Sequence, residues 1–393
     1  VLPGSTEQVS AVLAYCNAKG VKVVPRGAGT SLAGGALPVE DGIVLGLGRM
    51  SRVLDIDYGN RAARVEAGIT NLAISDAVGA GGVFYAPDPS SQLACTIAGN
   101  IAMNSGGAHC LKYGVTVNNV LGLKMVLADG RIIEIGGAHL DAPGYDLLAL
   151  IIGSEGQFGI ITKVKTRLRP CKQKVRMWHL LYDDLGVFMR DSELIMRPGD
   201  ERFHTLESRS AACPIFTKRV GEGMQLATGQ QMYAYWLYPM FLTVEYDERE
   251  NPNDAELLRE LKYYKHLRTE EYTQLDFCNR LIPVFELWHR VGNWEMAHPW
   301  MEVILPWDKA REFIEFVQDS LPPQALGAGG HVLVWPAHTG ASDAPLFMHP
   351  EGEFVMGWGI LPAVPHKFLD QALAQLDMAS ELSIGYGGKR YLS

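Results

Sequence analysis

"PRGAGTSLAGG", residues 25–35, sets Gly27, Gly29, Gly34 and Gly35 beside the hydroxyls of Thr30 and Ser31. With so few side chains, a ligand can approach the main chain closely, and successive glycine N–H groups form a concave donor set suited to an anion. Phosphate is the ligand class this composition favours. The loop follows "VKVVP" (21–25), an alternating stretch read as a strand. Before it, "STEQVSAVLAYCNAKG" (5–20) reads as a helix with Ser5 as N-cap, Gln8 three residues on and Gly20 as the stop.

Further on, "GIVLGL" and "VLDIDYGNRAARVEAG" read as a strand and a hairpin, "NLAISDAVGAGG" as a helix, and "VLGLKMVLADGRIIEIG" as a hairpin turned at Asp129-Gly130. Residues 1–170 are therefore α+β with short strands. A Rossmann unit does not fit, because "RGAGTSLAGG" lacks GxGxxG and no clean βαβ follows; a Walker loop is absent too.

With 393 residues, two domains are expected. A net charge of −9 without basic blocks argues against nucleic acid or an anionic membrane as a general partner. The longest apolar run, "YDLLALIIG", is about half of the ~18 residues a membrane span needs. Cys16, Cys95, Cys110, Cys171, Cys213 and Cys278 lie far apart without a CxxC, which fits reduced thiols, no metal and a cytoplasmic location. The chain begins at Val1 rather than Met, so a longer protein is expected, and a lost signal segment stays open.

From residue 171 the character changes, and all eight tryptophans lie beyond that point. Residues 245–272, "EYDERENPNDAELLRELKYYKHLRTEEY", read as a loop and a solvated amphipathic helix. "PWMEVILPW" and "HVLVWPA" read as strands, and "DKAREFIEFVQDSL" as a helix capped by Asp308. A second α+β domain, residues 171–393, is expected to carry an antiparallel sheet and an aromatic lining.

Two further stretches join the opening loop: "YAPDPSSQLACTIAGNIAMNSGGAHCLKYGVTVNNVLGLKMVLADG" (85–130) and "GYDLLALIIGSEGQFGIITKVKTRLRP" (144–170). Together they resemble the FAD-binding half of the vanillyl-alcohol-oxidase/p-cresol-methylhydroxylase superfamily, most closely its glycolate oxidase and D-lactate dehydrogenase branch. The resemblance implies a two-subdomain FAD-binding PCMH-type fold over 1–170. It places the FAD against Arg26, Gly27, Ala28, Gly29, Thr30, Ser31 and Leu32, and along Pro87, Asp88, Pro89 and Ser90. Further contacts are implied at Thr96, Gly99, Asn100, Gly106, Gly107, Glu155, Gly156 and Ile161. Many members bind FAD covalently through the histidine of RGxGHS. Thr30 stands at that position, so the FAD is expected to be non-covalent.

The second half is similar to cytokinin dehydrogenases in "VRMWHLLYDDLGVFMRDSELI", "YTQLDFCNRL", "NWEMAHPWMEVILP" and the terminal "GGKRYLS". It lacks the HxGDGNxHP histidine motif of full-length hydroxy-acid relatives. The resemblance implies an FAD contact at Tyr391, and the family's FAD-closing segment after "KRYLS" is expected to be missing.

Flavin chemistry asks the protein for orientation, a proton acceptor and exclusion of water. Glu295 and His298, two titratable groups between Trp294 and Trp300, are the expected acid/base and substrate contacts; His338 and Tyr386 are secondary candidates. Trp236, Trp288, Trp335 and Trp358 are candidates for an apolar cavity, and Arg280 and Arg290 for single carboxylate contacts. The expected function is an FAD-dependent oxidase or dehydrogenase taking hydride from a CH–OH or CH–NH carbon of a small, apolar or aromatic molecule. Oxygen or an electron-transfer partner is the acceptor, and a homodimer is compatible with the reading. A D-2-hydroxy-acid dehydrogenase and a non-catalytic flavin subunit of an electron-transfer complex stay open.

Overall fold

A computed structural model describes residues 1–137, 144–197, 202–203, 205–210, 236–327, 329–341 and 348–391. Cys213 and residues 392–393 of the terminal motif lie outside this set.

The helix Thr6–Lys19 starts where expected: the Ser5 side chain accepts from the Gln8 N–H, and Gly20 closes the helix at φ +65°. Gln8 does not complete a reciprocal box with Ser5, because its amide oxygen takes the Gly4 N–H instead, at 2.7 Å. The strand Lys22–Arg26 then pairs in parallel with Gly42–Gly46 and delivers the glycine loop at its end. Beside this pair lies a five-stranded antiparallel sheet ordered Val53–Asp57, Ala62–Glu66, Ile160–Arg167, Val120–Val126 and Ile132–Gly136. Val9, Leu45, Val65, Ile74, Ile101 and Val164 belong to the one apolar core that joins these elements.

The second half is built on an eight-stranded antiparallel sheet. Its order is Lys265–Tyr272, Lys174–Tyr182, Tyr238–Tyr246, Thr205–Ser210, His331–His338, Phe354–Leu361, Met301–Pro306 and Lys389–Arg390. Strand side chains alternate between two faces. Val303, Leu305, Val332, Val334, Met356 and Trp358 pack into a core with helices Leu185–Met196, Trp307–Ser320 and Leu369–Gly385. The alternate residues of the same strands, among them Glu302, Ile304, Leu333 and Trp335, face the other way, toward the first half.

Two expectations fail here. Residues 245–272 hold only one helical turn, Asp254–Leu257; the remainder completes Tyr238–Tyr246 and forms the edge strand Lys265–Tyr272. Pairing of that strand with Lys174–Tyr182 overrides the helical spacing, and its exposed Lys265, Arg268 and Glu271 suit an unpaired edge. Asp308 does not cap its helix. The helix begins at Trp307 behind Pro306, so Asp308 sits inside the first turn, where its charge suits the helix dipole. Among the described residues no helix is long and apolar enough to cross a membrane.

Candidate active site between the glycine loops and the second sheet

A cavity of about 600 Å³ lies between the two halves, large enough for a sizeable organic ligand. Its first wall is built from loops rich in glycine and hydroxyl residues: residues 25–33, 88–91, 95–96 and 105–108 and the turn at Glu155-Gly156. The loops interlock because side chains are missing. A Cβ on Gly27 would run into the Thr96 hydroxyl, and one on Gly107 into the Asp88 backbone. Gly29 takes φ +75°, and Glu155 and Gly156 take φ +56° and +77°, turning the backbone in a sense L side chains rarely allow. Thr96 is held as the N-cap of Ile97–Met103, its hydroxyl accepting from the Gly99 N–H at 3.3 Å.

The second wall is the free face of the eight-stranded sheet. Glu302 and Ile304 alternate into the cavity from the strand Met301–Pro306, with Trp300 just before it, and Leu333, Trp335 and Ala337 from another strand. Between these strands runs Phe354–Leu361, whose Gly357 and Gly359 leave the floor open. A Cβ on Gly357 would collide with the Trp335 ring, and one on Gly359 would lie 2.7 Å from Glu302 Cγ. The two glycines thus let an indole and a carboxylate lie across the sheet. Tyr391 closes this side: its N–H donates to the Glu302 carbonyl at 3.1 Å, and its ring meets Trp335 edge-on at 5.3 Å.

One end of the cavity rests on a buried ionic cluster shared by both halves. His109 Nδ1 lies 3.0 Å from Asp88 Oδ2 and Nε2 lies 3.3 Å from Glu245 Oε1. Glu245 also receives Lys112 Nζ at 2.8 Å and the Tyr113 hydroxyl at 2.9 Å, while Gln274 Nε2 reaches the imidazole at 3.0 Å. Arg280, 6% exposed, approaches Asp88 at 3.4 Å, lies over the Phe277 ring and presents a surface to the cavity. Burial alone would lower the imidazole's basicity, but the two carboxylates outweigh it and lift His109 to about 9. Burial works against both carboxylates as well; His109, with Arg280 at Asp88 and Lys112 at Glu245, holds them below their usual range.

Comparison with known proteins gives two family matches. Residues 1–136 match an FAD binding domain. Residues 172–381, more than half of the chain, match the family described as cytokinin dehydrogenase 1, FAD and cytokinin binding. The chain belongs to that family and to the PCMH-type FAD oxidoreductases. Its cofactor is FAD. This PCMH-type flavoprotein is 50% identical over 185 residues to the glycolate oxidase subunit GlcD of Escherichia coli K12, covering 47% of this chain and 37% of that one. It is 46% identical over 171 residues to the D-lactate dehydrogenase of Archaeoglobus fulgidus, covering 43% and 38% respectively. The chain thus spans about two fifths of the length of these curated relatives. Among solved structures, alkyldihydroxyacetonephosphate synthase shares the fold with a TM-score of 0.70 at 17% identity, covering 99% of this chain and 71% of that one.

The cavity brings together most residues singled out from sequence. Residues 26–32 and 88–90 line it, as do Thr96, Gly99, Asn100, Gly106, Gly107, Glu155, Gly156, Ile161, Tyr391 and His338. Pro87 does not; it is buried behind the loop with its carbonyl accepting from Asn71 Nδ2 at 2.9 Å.

Three of the four catalytic candidates also fall outside. Glu295 ends the short 3₁₀ turn Asn293–Glu295 and is exposed. The His298 ring stacks on Trp288 and bonds to the carbonyls of Asn293, at 2.8 Å, and Pro362, at 3.2 Å. Tyr386 follows the helix Leu369–Gly385 and bonds to Glu312 at 3.1 Å. Of the four tryptophans offered for the cavity, Trp335 lines it; Trp358 is in the opposite core, Trp236 packs against that core and Trp288 holds His298. Arg280 reaches the cavity and Arg290 does not.

Sequence reasoning missed Trp300, Glu302 and Ile304. Their i, i+2, i+4 spacing in "WMEVILP" is the signal that they share one side of the strand Met301–Pro306 and of the residue leading into it.

Proposed function

We propose that this chain is an FAD-dependent oxidoreductase that takes a hydride from a CH–OH or CH–NH carbon of a small, apolar or aromatic substrate. The carrying observation is the contrast between the two cavity walls: loops rich in glycine and hydroxyl residues on one, indoles and aliphatic side chains of the sheet on the other. The first wall fits a diphosphate, which wants many short-range donors and no bulk. Residues 26–32 with the loops at 88–90 and 105–107 would hold the cofactor, and Thr30, in place of a histidine, leaves it non-covalent. When bound, FAD supplies the two-electron acceptor for the substrate's hydride. The chain's own part is to seat the substrate against Trp300 and Trp335, to exclude water with Ile304, Leu333 and Leu281, and to accept a proton from the substrate's heteroatom.

One observation favours a second reading. Arg280 brings a buried, well-held cation to the cavity, and the relatives named glycolate oxidase and D-lactate dehydrogenase are named for hydroxy-acid substrates. A hydroxy acid would set its carboxylate on Arg280, whereas a neutral alcohol or amine would rely on the indoles alone.

Anaerobic mixing of the holoprotein with benzyl alcohol, benzylamine, glycolate and both lactate enantiomers tests both readings, by following flavin absorbance at about 450 nm. Bleaching by the aromatic alcohol or amine supports the first reading, and bleaching by glycolate or lactate alone supports the second. A spectrum unchanged by every member of the panel removes both. Re-admission of air then shows whether oxygen or a separate electron carrier is the acceptor.

A further inference from the structure

We propose that the Glu302 carboxylate is the group that takes the proton from the substrate's hydroxyl or amine. The inference rests on the oxidation proposed above and names the residue that this oxidation requires.

Position is the first argument. Among the described residues lining the cavity, the acids are Asp88, Glu155 and Glu302, and the imidazoles are His338, whose Nδ1 accepts from the Gly340 N–H at 3.0 Å, and His349, whose Nδ1 bonds to the Pro350 carbonyl at 2.8 Å. Asp88 is committed to His109 and Arg280 at one end. Glu155 is exposed in the glycine turn of the first wall. Glu302, 8% exposed, stands on the second wall among Trp300, Ile304 and Trp335, where the substrate is seated. The strand Met301–Pro306 is paired on both sides, with Phe354–Leu361 and with Lys389–Arg390, so the carboxylate is carried on rigid structure.

The sheet is also cut to fit this side chain. Glu302 and Gly359 are register partners, and a Cβ on Gly359 would sit 2.7 Å from Glu302 Cγ and 3.1 Å from Oε1. The glutamate therefore lies along the cavity floor, over a register partner that has no side chain. Trp335 lies over Gly357 in the same way and gives the same sheet face an aromatic surface. Tyr391 completes the surround; burial, with the Glu302 charge adding to it, pushes its phenol up and keeps it neutral, so it does not compete as a base.

The step balances within the proposed oxidation. As the substrate's C–H bond breaks and its electron pair leaves as hydride to the bound flavin, the O–H or N–H bond breaks and its proton goes to Glu302. A C=O or C=N bond forms, and the carboxylate becomes a carboxylic acid that later returns the proton to solvent.

The test uses the holoprotein and whichever panel compound bleaches the wild type fastest. Glu302→Gln is expected to slow anaerobic flavin reduction at saturating substrate by about 10²-fold or more, with the half-saturating concentration and FAD content little changed. Glu302→Asp, which keeps the acid, is expected to recover part of that rate. Infrared difference spectra of reduced minus oxidised protein supply a readout other than rate: a protonated-carboxyl band that appears in the wild type and is missing in Glu302→Gln. Reduction of Glu302→Gln within about 3-fold of wild type, or a carboxyl band that persists in it, overturns the assignment while leaving the oxidase reading standing. A wild type that nothing in the panel reduces overturns that reading and this inference with it.

Discussion

His109 Nδ1 lies 3.0 Å from Asp88 Oδ2, and the other ring nitrogen faces Glu245, so one imidazole joins the loop that lines the cavity to the sheet of the second half. All three side chains are buried. Removing His109 leaves two buried carboxylates with only Arg280 and Lys112 to offset them, which costs far more than losing a surface pair. His109→Gln is expected to lower the melting temperature by on the order of 10 °C, corresponding to a loss of about 3–5 kcal/mol. It is also expected to weaken FAD binding, because Asp88 sits in the 88–91 loop. Thermal unfolding with and without added FAD measures both, and an unchanged melting temperature would show the cluster to be dispensable.

The same cluster sets a pH profile. His109 is raised from an ordinary 6.5 to about 9, so the stabilisation it gives is fully present below 6.5 and is lost as pH rises through about 9. Asp88 and Glu245 are lowered from ordinary values of 3.8 and 4.5, so their contribution is present above those values and is lost as pH falls through the depressed ones. Melting temperature is therefore expected to be highest between about 4.5 and 6.5 and to fall toward 9. In His109→Gln the alkaline fall should flatten, and a profile with the same alkaline slope in both proteins would contradict the assignment.

Loss of side-chain-free space should cost cofactor affinity. In Gly27→Ala the new methyl meets the Thr96 hydroxyl, and in Gly107→Ala it meets the Asp88 backbone, so the two anion loops must separate. Each is expected to raise the Kd for FAD by at least about 10-fold, roughly the effect of one misplaced buried contact. Gly48→Ala, where an added Cβ meets nothing within 4 Å, is the control. Fluorescence quenching of FAD on titration with apoprotein reads all three; equal affinities would mean that the loops do not grip the cofactor.

Glu295→Gln separates the structure from the expectation raised by sequence alone. An exposed carboxylate at the end of a 3₁₀ turn, outside the cavity, has no route to a substrate held against Trp300. Flavin reduction is expected to stay within about 3-fold of wild type, and a loss of about 10²-fold would restore Glu295 as the base.

The glycine loop, the capped helix Thr6–Lys19 and the Asp129-Gly130 hairpin were legible because each depends on local backbone chemistry. Glu302 was not legible. "WMEVILP" alternates plainly, but which face meets the cavity is decided by strands that join it from elsewhere in the chain. Glu295 and His298, framed by two tryptophans, are conspicuous instead, yet they lie before the strand begins. His109 was hidden for a related reason: its partner Gln274 is 165 positions away, and no sequence spacing announces such a contact. Residues 245–272 failed through tertiary override, since apolar spacing near 3.6 was outweighed by pairing along Lys174–Tyr182.

The central claim is that the cavity between the glycine loops and the second sheet holds FAD, without a covalent bond at Thr30. Equilibrium titration of apoprotein with FAD, and separately with FMN, tests it most directly, followed by acid precipitation of the yellow complex. One equivalent of FAD should bind, more tightly than FMN, and the flavin should leave with the supernatant. A protein that stays colourless with excess FAD would contradict the account, and a yellow acid-stable pellet would contradict the non-covalent attachment.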